Sequence, residues 1–191
     1  MLSARSIVVL VAALIAGVAF TAHMASSPLA TAISYPEALA RYHGSPVDPK
    51  RLRAFVDQFA TLVALSQSER EALYAERLYF SDALLTTESR AALLDHLDTV
   101  HANSSDTQLT VLREVVSGPD VYLVWSMTAT FTPVYQSVSS ESVGITHLRF
   151  NAAGQVVLQH DFWDTANGFY QHIPVLGALV RAISKRFDYD Q

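Results

Sequence analysis

The hydrophobic period of the chain changes at about Ser105. Before this point apolar residues recur at the spacing of one helix face, as in the series Leu52, Phe55, Val56, Phe59, Leu62 and Val63. After it, side chains alternate, so that Leu123, Trp125 and Met127 point to one side of a strand and Ser126 and Thr128 to the other. Helices followed by long alternating strands predict an α+β domain, with the helices packed on one face of a curved antiparallel sheet.

Local signals place the individual elements. Asp48 and Pro49 are typical of a helix start, and the stretch from Ser66 to Glu69 has the form of a capping box. The second helix is predicted to continue through "LYAERLYFSDALL", and a third helix is predicted to start near Thr87. Strands are predicted in "TQLTVLREVV", "VYLVWSMTATF", "VGITHLRF" and "QVVLQHDFW", with turns at "SGPD" and "NAAG".

The N-terminal segment has the pattern of a targeting sequence. Arg5 precedes an apolar run over residues 7–20, which suits the apolar core of a signal peptide better than a full membrane span. We therefore expect an exported protein (periplasmic, secreted or membrane-anchored), with residues 1–27 acting as a cleaved signal peptide or as an uncleaved anchor. A linker is predicted over residues 28–48, the folded domain over 49–172 and a C-terminal amphipathic helix over 173–191.

Composition and missing motifs exclude several classes of function. The chain has 13 Lys and Arg residues against 18 Asp and Glu, a formal net charge of −5, so it has no excess of positive charge for a nucleic-acid backbone. It has no cysteine, which excludes disulfides, thiolate catalysis and cysteine-based metal sites. No glycine-rich phosphate loop, nucleophile elbow or dinucleotide fingerprint is present. We predict neither a nucleic-acid partner nor a cofactor.

Three short motifs resemble those of one superfamily. "HLRFNAAGQVV" is similar to a hairpin of bacterial ketosteroid isomerases, "DFWD" to the end of the last strand in SnoaL-like proteins, and "YFSD" to a signature that follows the second helix. Over about residues 50–175 the chain resembles the nuclear transport factor 2-like superfamily, which includes SnoaL-like cyclases, ketosteroid isomerases and limonene epoxide hydrolases. The resemblance implies a cone-shaped α+β fold, which hosts both enzymes and binding proteins.

The resemblance also implies candidate site residues. Asp82 matches the position of the isomerase general base, and Thr146 the position of the acid that stabilises the oxyanion. Asp161 matches one acid of the epoxide hydrolases, but their Arg and second Asp are missing from the strand "LVWSMTA". The helix over residues 55–59 also lacks the isomerase tyrosine. For each of these known chemistries the chain therefore has one matching carboxylate and lacks the other residues that the reaction requires.

Strand alternation divides the last hairpin into two faces. If "NAAG" is a four-residue loop, Phe150 pairs with Gln155, Thr146 with Gln159 and Leu148 with Val157. The inner face then carries Thr146, Leu148, Gln159, Asp161 and Trp163, and the outer face carries His147, Arg149 and His160. Because His160 and Asp161 point to opposite faces, and because His96 and His101 are five residues apart on a helix, we predict no metal site.

The predicted site is an apolar pocket for a small hydrophobic molecule. Asp161 and Asp82 are the catalytic candidates, although each could instead be a structural hydrogen-bond acceptor, and Asp164 is predicted to be a cap. Ligand-binding candidates are Trp125, Met127, Thr146, Leu148, Gln159, Trp163 and Tyr79. One hypothesis is proton-transfer chemistry of the isomerase, cyclase or hydrolase type. The alternative is a non-enzymatic ligand-binding or protein-interaction domain at the cell envelope.

The C-terminal helix has one apolar side and a basic end. The cationic residues are Arg181, Lys185 and Arg186, and the apolar side consists of Leu176, Leu179, Val180, Ile183 and Phe187. We favour docking of this apolar side on the domain's own surface over contact with a membrane or with a second subunit. A membrane partner through the N-terminal segment and a homodimer through the sheet are further alternatives.

Overall fold

Helices and strands alternate in the first half of the domain, and a long antiparallel meander follows. A computed structural model of the chain describes residues 33–82, 84–132, 137–173 and 175–186. The helices are α1 (Tyr35–Arg41), α2 (Pro49–Phe59), α3 (Gln67–Leu73), α4 (Arg90–Asn103), α5 (Thr165–Gly168) and α6 (Leu176–Ser184), with short 3-10 turns at Leu62–Ala64 and Tyr170–His172. The strands are β1 (Tyr74–Ser81), β2 (Thr86–Ser89), β3 (Ser104–Ser117), β4 (Asp120–Phe131), β5 (Val138–Phe150) and β6 (Val156–Trp163). The predicted targeting segment, residues 1–27, lies outside the described residues.

The helix starts follow the predicted signals. The Asp48 carboxylate accepts hydrogen bonds from the backbone N–H groups of Lys50 and Arg51, at 3.0 and 3.1 Å, and so caps α2. Ser66 and Glu69 form the predicted capping box of α3. These contacts satisfy backbone donors that the first helical turn leaves without partners.

The second helix is shorter than predicted, because α3 ends at Leu73 and the following residues form strand β1. Tyr74, Leu78 and Phe80 of this strand are almost fully buried. The strand pairs on both sides, with β2 and with β6, so the sheet overrides the local helical pattern. The third helix starts at Arg90 rather than near Thr87, and the Ser89 side chain caps it.

Within the described residues six strands form one sheet, in the order β2-β1-β6-β5-β4-β3. The predicted α+β class is confirmed. All neighbouring strands are antiparallel except β1 and β6, which run parallel, so the sheet is mixed rather than purely antiparallel.

The inner face of the sheet packs against the helices in one hydrophobic core. Leu123 and Trp125 of β4 are buried and Met127 packs against them, whereas Thr128 is exposed, as the alternation predicts. Phe55 of α2 meets Phe150 of β5 edge to face, with ring centroids 5.4 Å apart. The predicted inward face of β4 is therefore correct.

The β5–β6 register differs from the prediction by two residues. Thr146 lies opposite Asp161 rather than Gln159, and Leu148 lies opposite Gln159 rather than Val157. Phe150 pairs with Val156 instead of Gln155, because the loop has five residues rather than four, and a bulge that leaves Val157 without a partner adds the second residue of the shift. Because a shift by two residues preserves side-chain alternation, the predicted inner and outer faces remain correct.

The linker predicted over residues 28–48 is wrong for its central part, which forms α1. Ala38 of this helix is fully buried, and Ser34 with Glu37 forms a capping box at its start. At its end, Nη1 of Arg149 donates to the carbonyl oxygens of Leu39 and Tyr42, at 2.8 and 3.1 Å. The local sequence pattern did not indicate a helix here, because a helix this short depends on its contacts with the sheet.

The outer face of the sheet exposes apolar side chains. Val143 is 62% exposed, Ile145 41% and Phe162 44%. A homodimer through the sheet would bury these residues, and it stays a prediction.

Helix α6 does not dock its apolar side on the domain. Of its residues only Gly177 is buried, while Leu179 and Ile183 are at least half exposed. The docking favoured from the sequence is therefore wrong, because the helix contacts the turn before it through its glycine rather than through its leucines. In the described part of the chain, no helix combines the length and apolarity that crossing a membrane requires.

Candidate active site

A cavity of about 380 Å³ lies between the helices and the inner face of the sheet. Its wall is mainly apolar, with side chains from α2, α4, β3, β4 and β6. Few charged groups reach it: the lining residues of the described chain include Asp82, His96 and Asp161 but no Lys, Arg or Tyr. A volume and a wall of this kind are typical of a site for a small, uncharged organic molecule.

Asp161 lies on the inward face of β6, and its carboxylate accepts hydrogen bonds from two neighbours. Oγ1 of Thr146 donates to Oδ1 at 2.6 Å, and Nε2 of Gln159 lies 3.1 Å from Oδ2 and 3.3 Å from Oδ1. Because β6 alternates, the neighbouring residues His160 and Phe162 point to the other face.

The two donors to Asp161 are themselves oriented by aromatic residues. Nε1 of Trp125 donates to Oγ1 of Thr146 at 2.9 Å, and the hydroxyl of Tyr74 donates to Oε1 of Gln159 at 2.7 Å. An indole N–H can only donate, so the single hydroxyl hydrogen of Thr146 remains for Asp161. The amide of Gln159 is likewise held with its NH₂ group toward the carboxylate. The resulting network is fixed before any ligand enters.

Burial raises the pKa of Asp161 from its ordinary 3.8 to about 7. The hydrogen bond from Thr146 lowers the pKa, the nearby Asp82 carboxylate raises it, and Gln159 and His96 lower it by smaller amounts. Loss of hydration outweighs the donors because the cavity offers Asp161 no neighbouring cation such as Arg. Near neutral pH the group is thus divided between its acidic and basic forms, which suits proton transfer in both directions.

A second polar centre in the cavity consists of Asp82 and His96. Oδ1 of Asp82 accepts the backbone N–H groups of Leu84 and Leu85, at 3.0 and 2.8 Å, while Oδ2 lies 2.6 Å from Nε2 of His96. Asp82 therefore has both roles weighed from the sequence, a turn acceptor and a cavity residue. A carboxylate only accepts hydrogen bonds, so Nε2 of His96 is the donor in this contact.

Residues 52–159, more than half of the chain, match the family model described as a SnoaL-like domain. The chain belongs to the SnoaL-like family. No curated protein matches it.

Solved structures share the fold of this SnoaL-like domain. A nuclear transport factor 2-like protein of unknown function from an Exiguobacterium species is 16% identical, with a TM-score of 0.51, covering 60% of this chain and 98% of that one. AclR, a candidate hydroxylase from Streptomyces galilaeus, is 15% identical, with a TM-score of 0.53 and coverage of 74% and 98%. An LEH-like epoxide hydrolase from M. tuberculosis is 12% identical, with a TM-score of 0.50 and coverage of 71% and 94%. These similarities confirm the nuclear transport factor 2-like α+β cone.

The SnoaL-like cavity brings together most of the residues predicted from the sequence. Its lining includes six of them: Asp82, Asp161, Trp125, Met127, Gln159 and Trp163. Thr146 is fully buried behind the lining, between Trp125 and Asp161.

Two predicted ligand-binding residues do not reach the cavity. Leu148 is fully buried in the core. The Tyr79 hydroxyl lies 3.1 Å from Nδ1 of His160 on the outer face, so its neighbour Phe80 lines the cavity instead. The sequence predicts a helix for the residues of β1, and a helical pattern does not place Tyr79 and Phe80 on opposite faces as strand alternation does.

The sequence interpretation missed His96 and Tyr74. His96 was considered only with His101 as a metal pair, yet it follows Leu93 by three residues and precedes Val100 by four, so it shares the inner face of α4. Its position on an otherwise apolar helix face was the sequence signal that could have identified His96 as a cavity residue. Tyr74 lies at the start of β1, which the helical interpretation concealed.

The outer face of the SnoaL-like sheet carries two histidines, His147 of β5 and His160 of β6. Nδ1 of His147 lies 2.8 Å from the Tyr35 hydroxyl and its Nε2 lies 2.8 Å from Asp120. Burial lowers the pKa of both His147 and His160, which favours their neutral forms. Among the described residues no group of three or more His, Asp or Glu side chains could hold a metal ion.

Proposed function

We propose that this SnoaL-like domain binds a small hydrophobic carbonyl compound and catalyses proton transfer on it, with Asp161 as the group that takes and returns the proton. The observation that carries this proposal is a single buried carboxylate, in a prearranged hydrogen-bond network, whose pKa of about 7 lies in the working range of a general acid–base. Such perturbed groups in clefts are concentrated at functional sites.

The chemistry follows from the two forms of Asp161. The ionised form removes a proton from the carbon beside a carbonyl group, the C–H electron pair moves into an enolate, and Asp161 becomes the neutral acid. In a substrate with a carbon–carbon double bond next to that carbon, the electron pair extends into a dienolate, and return of the proton to its far carbon moves the double bond and so isomerises the substrate. Attack of the enolate on a second carbonyl carbon closes a ring, and neutral Asp161 then protonates the new alkoxide.

The cavity supports this chemistry in two further ways. Its apolar wall lowers the local dielectric, so the carboxylate acts more strongly on the substrate than it would in water. His96, oriented by the contact between its Nε2 and Asp82, adds a second polar group to the same cavity. Because both acidic residues would repel an anion and the described lining offers no Lys or Arg, the substrate is not an anion, and the mainly apolar wall favours an uncharged molecule.

Exchange of carbon-bound hydrogen in heavy water tests the proposal without knowledge of the natural substrate. A panel of apolar cyclic ketones is incubated with the protein, and deuterium uptake beside the carbonyl group is followed by mass spectrometry. The wild-type protein should accelerate uptake for at least one ketone, and Asp161→Asn should lose about 100-fold or more, about the size of a general acid–base contribution.

Asp164→Asn is the matched control, because Asp164 caps α5 and does not line the cavity. It should exchange like the wild type. Equal exchange by wild type and Asp161→Asn would contradict the catalytic role of Asp161.

A second candidate function is ligand binding without chemistry. It is favoured by the hydrogen bonds from Thr146 and Gln159, which satisfy Asp161 from within the protein. Native mass spectrometry of protein from its own cells would show a retained ligand. A ligand recovered unchanged after incubation, together with no ketone exchange, would support this candidate.

We also propose that the protein is exported. The support is the positive residue Arg5 followed by the apolar run over residues 7–20. Cell fractionation with intact-mass measurement distinguishes a cleaved signal from an anchor. A cytoplasmic product that retains residues 1–27 would contradict export.

A further inference from the structure

Helix α6 presents an apolar side that the rest of the described chain leaves exposed. Leu176 is 37% exposed, Leu179 56% and Ile183 50%, and the preceding Val175 is 86% exposed. At about 100° per residue the three helical positions fall within about 60° of one another on the helix. They form a narrow apolar stripe that stays partly exposed in the described part of the chain.

Another side of α6 contacts the turn before it, and this contact sets the direction in which the stripe points. The N–H of Gly177 donates to the carbonyl oxygen of Ile173 at 2.7 Å, and Nη1 of Arg181 donates to that of Gln171 at 2.9 Å. A Cβ atom on Gly177 would lie 1.9 Å from the Gln171 oxygen, so only glycine permits this approach. Gly177 lies about 100° from the nearest stripe residue, so the helix faces its own turn with one side and directs the stripe elsewhere.

The charge of the segment selects the kind of surface that fits it. Residues 165–187 contain no Asp or Glu but include Arg181, Lys185 and Arg186, in a chain whose net charge is −5. All three cationic residues are exposed. A cationic segment beside an apolar stripe is complementary to a surface that is both anionic and apolar below its charges, which is the chemistry of an anionic lipid bilayer.

We propose that α6 lies in the interface of an anionic lipid bilayer, with Leu176, Leu179 and Ile183 inserted and Lys185 and Arg186 at the phosphate groups. With nine residues the helix lies along the surface. It begins four residues after the turn Tyr170–His172 ends, and Phe169 before that turn lines the cavity. A docked α6 therefore places this wall of the cavity beside the lipid, where hydrophobic molecules concentrate.

A single fluorescent label on the full chain tests this docking. The sequence has no cysteine, so Leu179→Cys creates a unique site for a polarity-sensitive fluorophore. Ala178→Cys is the matched control, because it is exposed and lies about 100° from Leu179 around the helix. Because the label reports only its own surroundings, binding of residues 1–27 to lipid does not produce the signal.

With vesicles containing phosphatidylglycerol, the label at Leu179 should shift its emission to the blue and be quenched by spin-labelled lipid, whereas the label at Ala178 should not. Lys185→Gln with Arg186→Gln should raise the lipid concentration for half-maximal shift about 25-fold, about fivefold for each charge. Equal unfolding temperatures of the labelled proteins would show that the labels leave the fold intact.

Three outcomes would overturn the proposal. The first is no shift at Leu179 or equal shifts at both positions. The second is an equal response to vesicles of phosphatidylcholine alone, which would remove the anionic selection. The third is a shift without lipid that grows with protein concentration, which would show that a second copy of the chain covers α6. Ile183→Cys repeats the measurement one turn further along the same stripe.

Discussion

Replacement of Asp161 by Asn should stabilise the protein at alkaline pH. The pKa of Asp161 is higher in the folded protein, about 7, than its ordinary 3.8, so the folded state holds the proton more tightly than the unfolded state does. Stability is then lost as pH rises from about 4 to about 7, and the loss levels at about 4 kcal/mol when the group is ionised in both states. The asparagine side chain cannot ionise and avoids this loss, although it gives up one acceptor for Gln159, which costs about 1 kcal/mol.

Urea denaturation of both proteins at several pH values measures this effect. Between about pH 5 and pH 8 the stability of Asp161→Asn relative to wild type should increase by about 2–3 kcal/mol. Asp164→Asn is a control of opposite sign, because hydrogen bonds from Asn167 hold the pKa of Asp164 below its ordinary value. That variant should lose stability relative to wild type as pH rises to about 4 and above. A difference between wild type and Asp161→Asn that does not change with pH would refute the proposed desolvation of Asp161.

Three further substitutions test the surroundings of the site. Thr146→Val removes a donor to Asp161 and should raise the pKa of that carboxyl above its wild-type value in an NMR titration, whereas an unchanged pKa would contradict the role of the hydrogen bond. Gly144→Ala would place a Cβ atom 2.3 Å from the Trp125 ring and should cost about 1–3 kcal/mol in urea denaturation, and wild-type stability would contradict this packing. Arg149→Met removes both hydrogen bonds to the end of α1 and should speed amide hydrogen exchange in that helix. Unchanged exchange would contradict the role of this side chain in holding α1.

Side-chain alternation predicted the inner face of the sheet well. It placed Trp125 and Asp161 on the inner face and His160 on the outer face, because one face of each strand must be apolar to pack against helices. The pairing of residues across the hairpin was less predictable. A five-residue loop and the bulge at Val157 each shift the register by one, and no residue type there distinguishes a bulged strand from a regular one.

Elements held by distant contacts were not predictable from local sequence. Strand β1 has a helical-looking pattern and becomes a strand only because β2 and β6 pair with it. Helix α1 depends on Arg149, more than a hundred residues away. The partnership of His96 with Asp82 likewise joins two elements whose approach the local pattern does not show. In this chain the candidate carboxylates and the donors to Asp161 could be read from the sequence, whereas the contact of Asp82 with His96 required the fold.

The protonation of Asp161 itself is the most direct measure of the proposed function. Carbon-13 NMR of protein labelled at aspartate carboxyl carbons, with Asp161→Asn used to assign the signal, follows each group through its titration. Because burial raises the pKa of this carboxyl, the Asp161 signal should titrate with a pKa of about 7. A pKa near the ordinary 3.8 would show that the carboxylate is hydrated and fully ionised at neutral pH, and would contradict its role as the proton-transfer group.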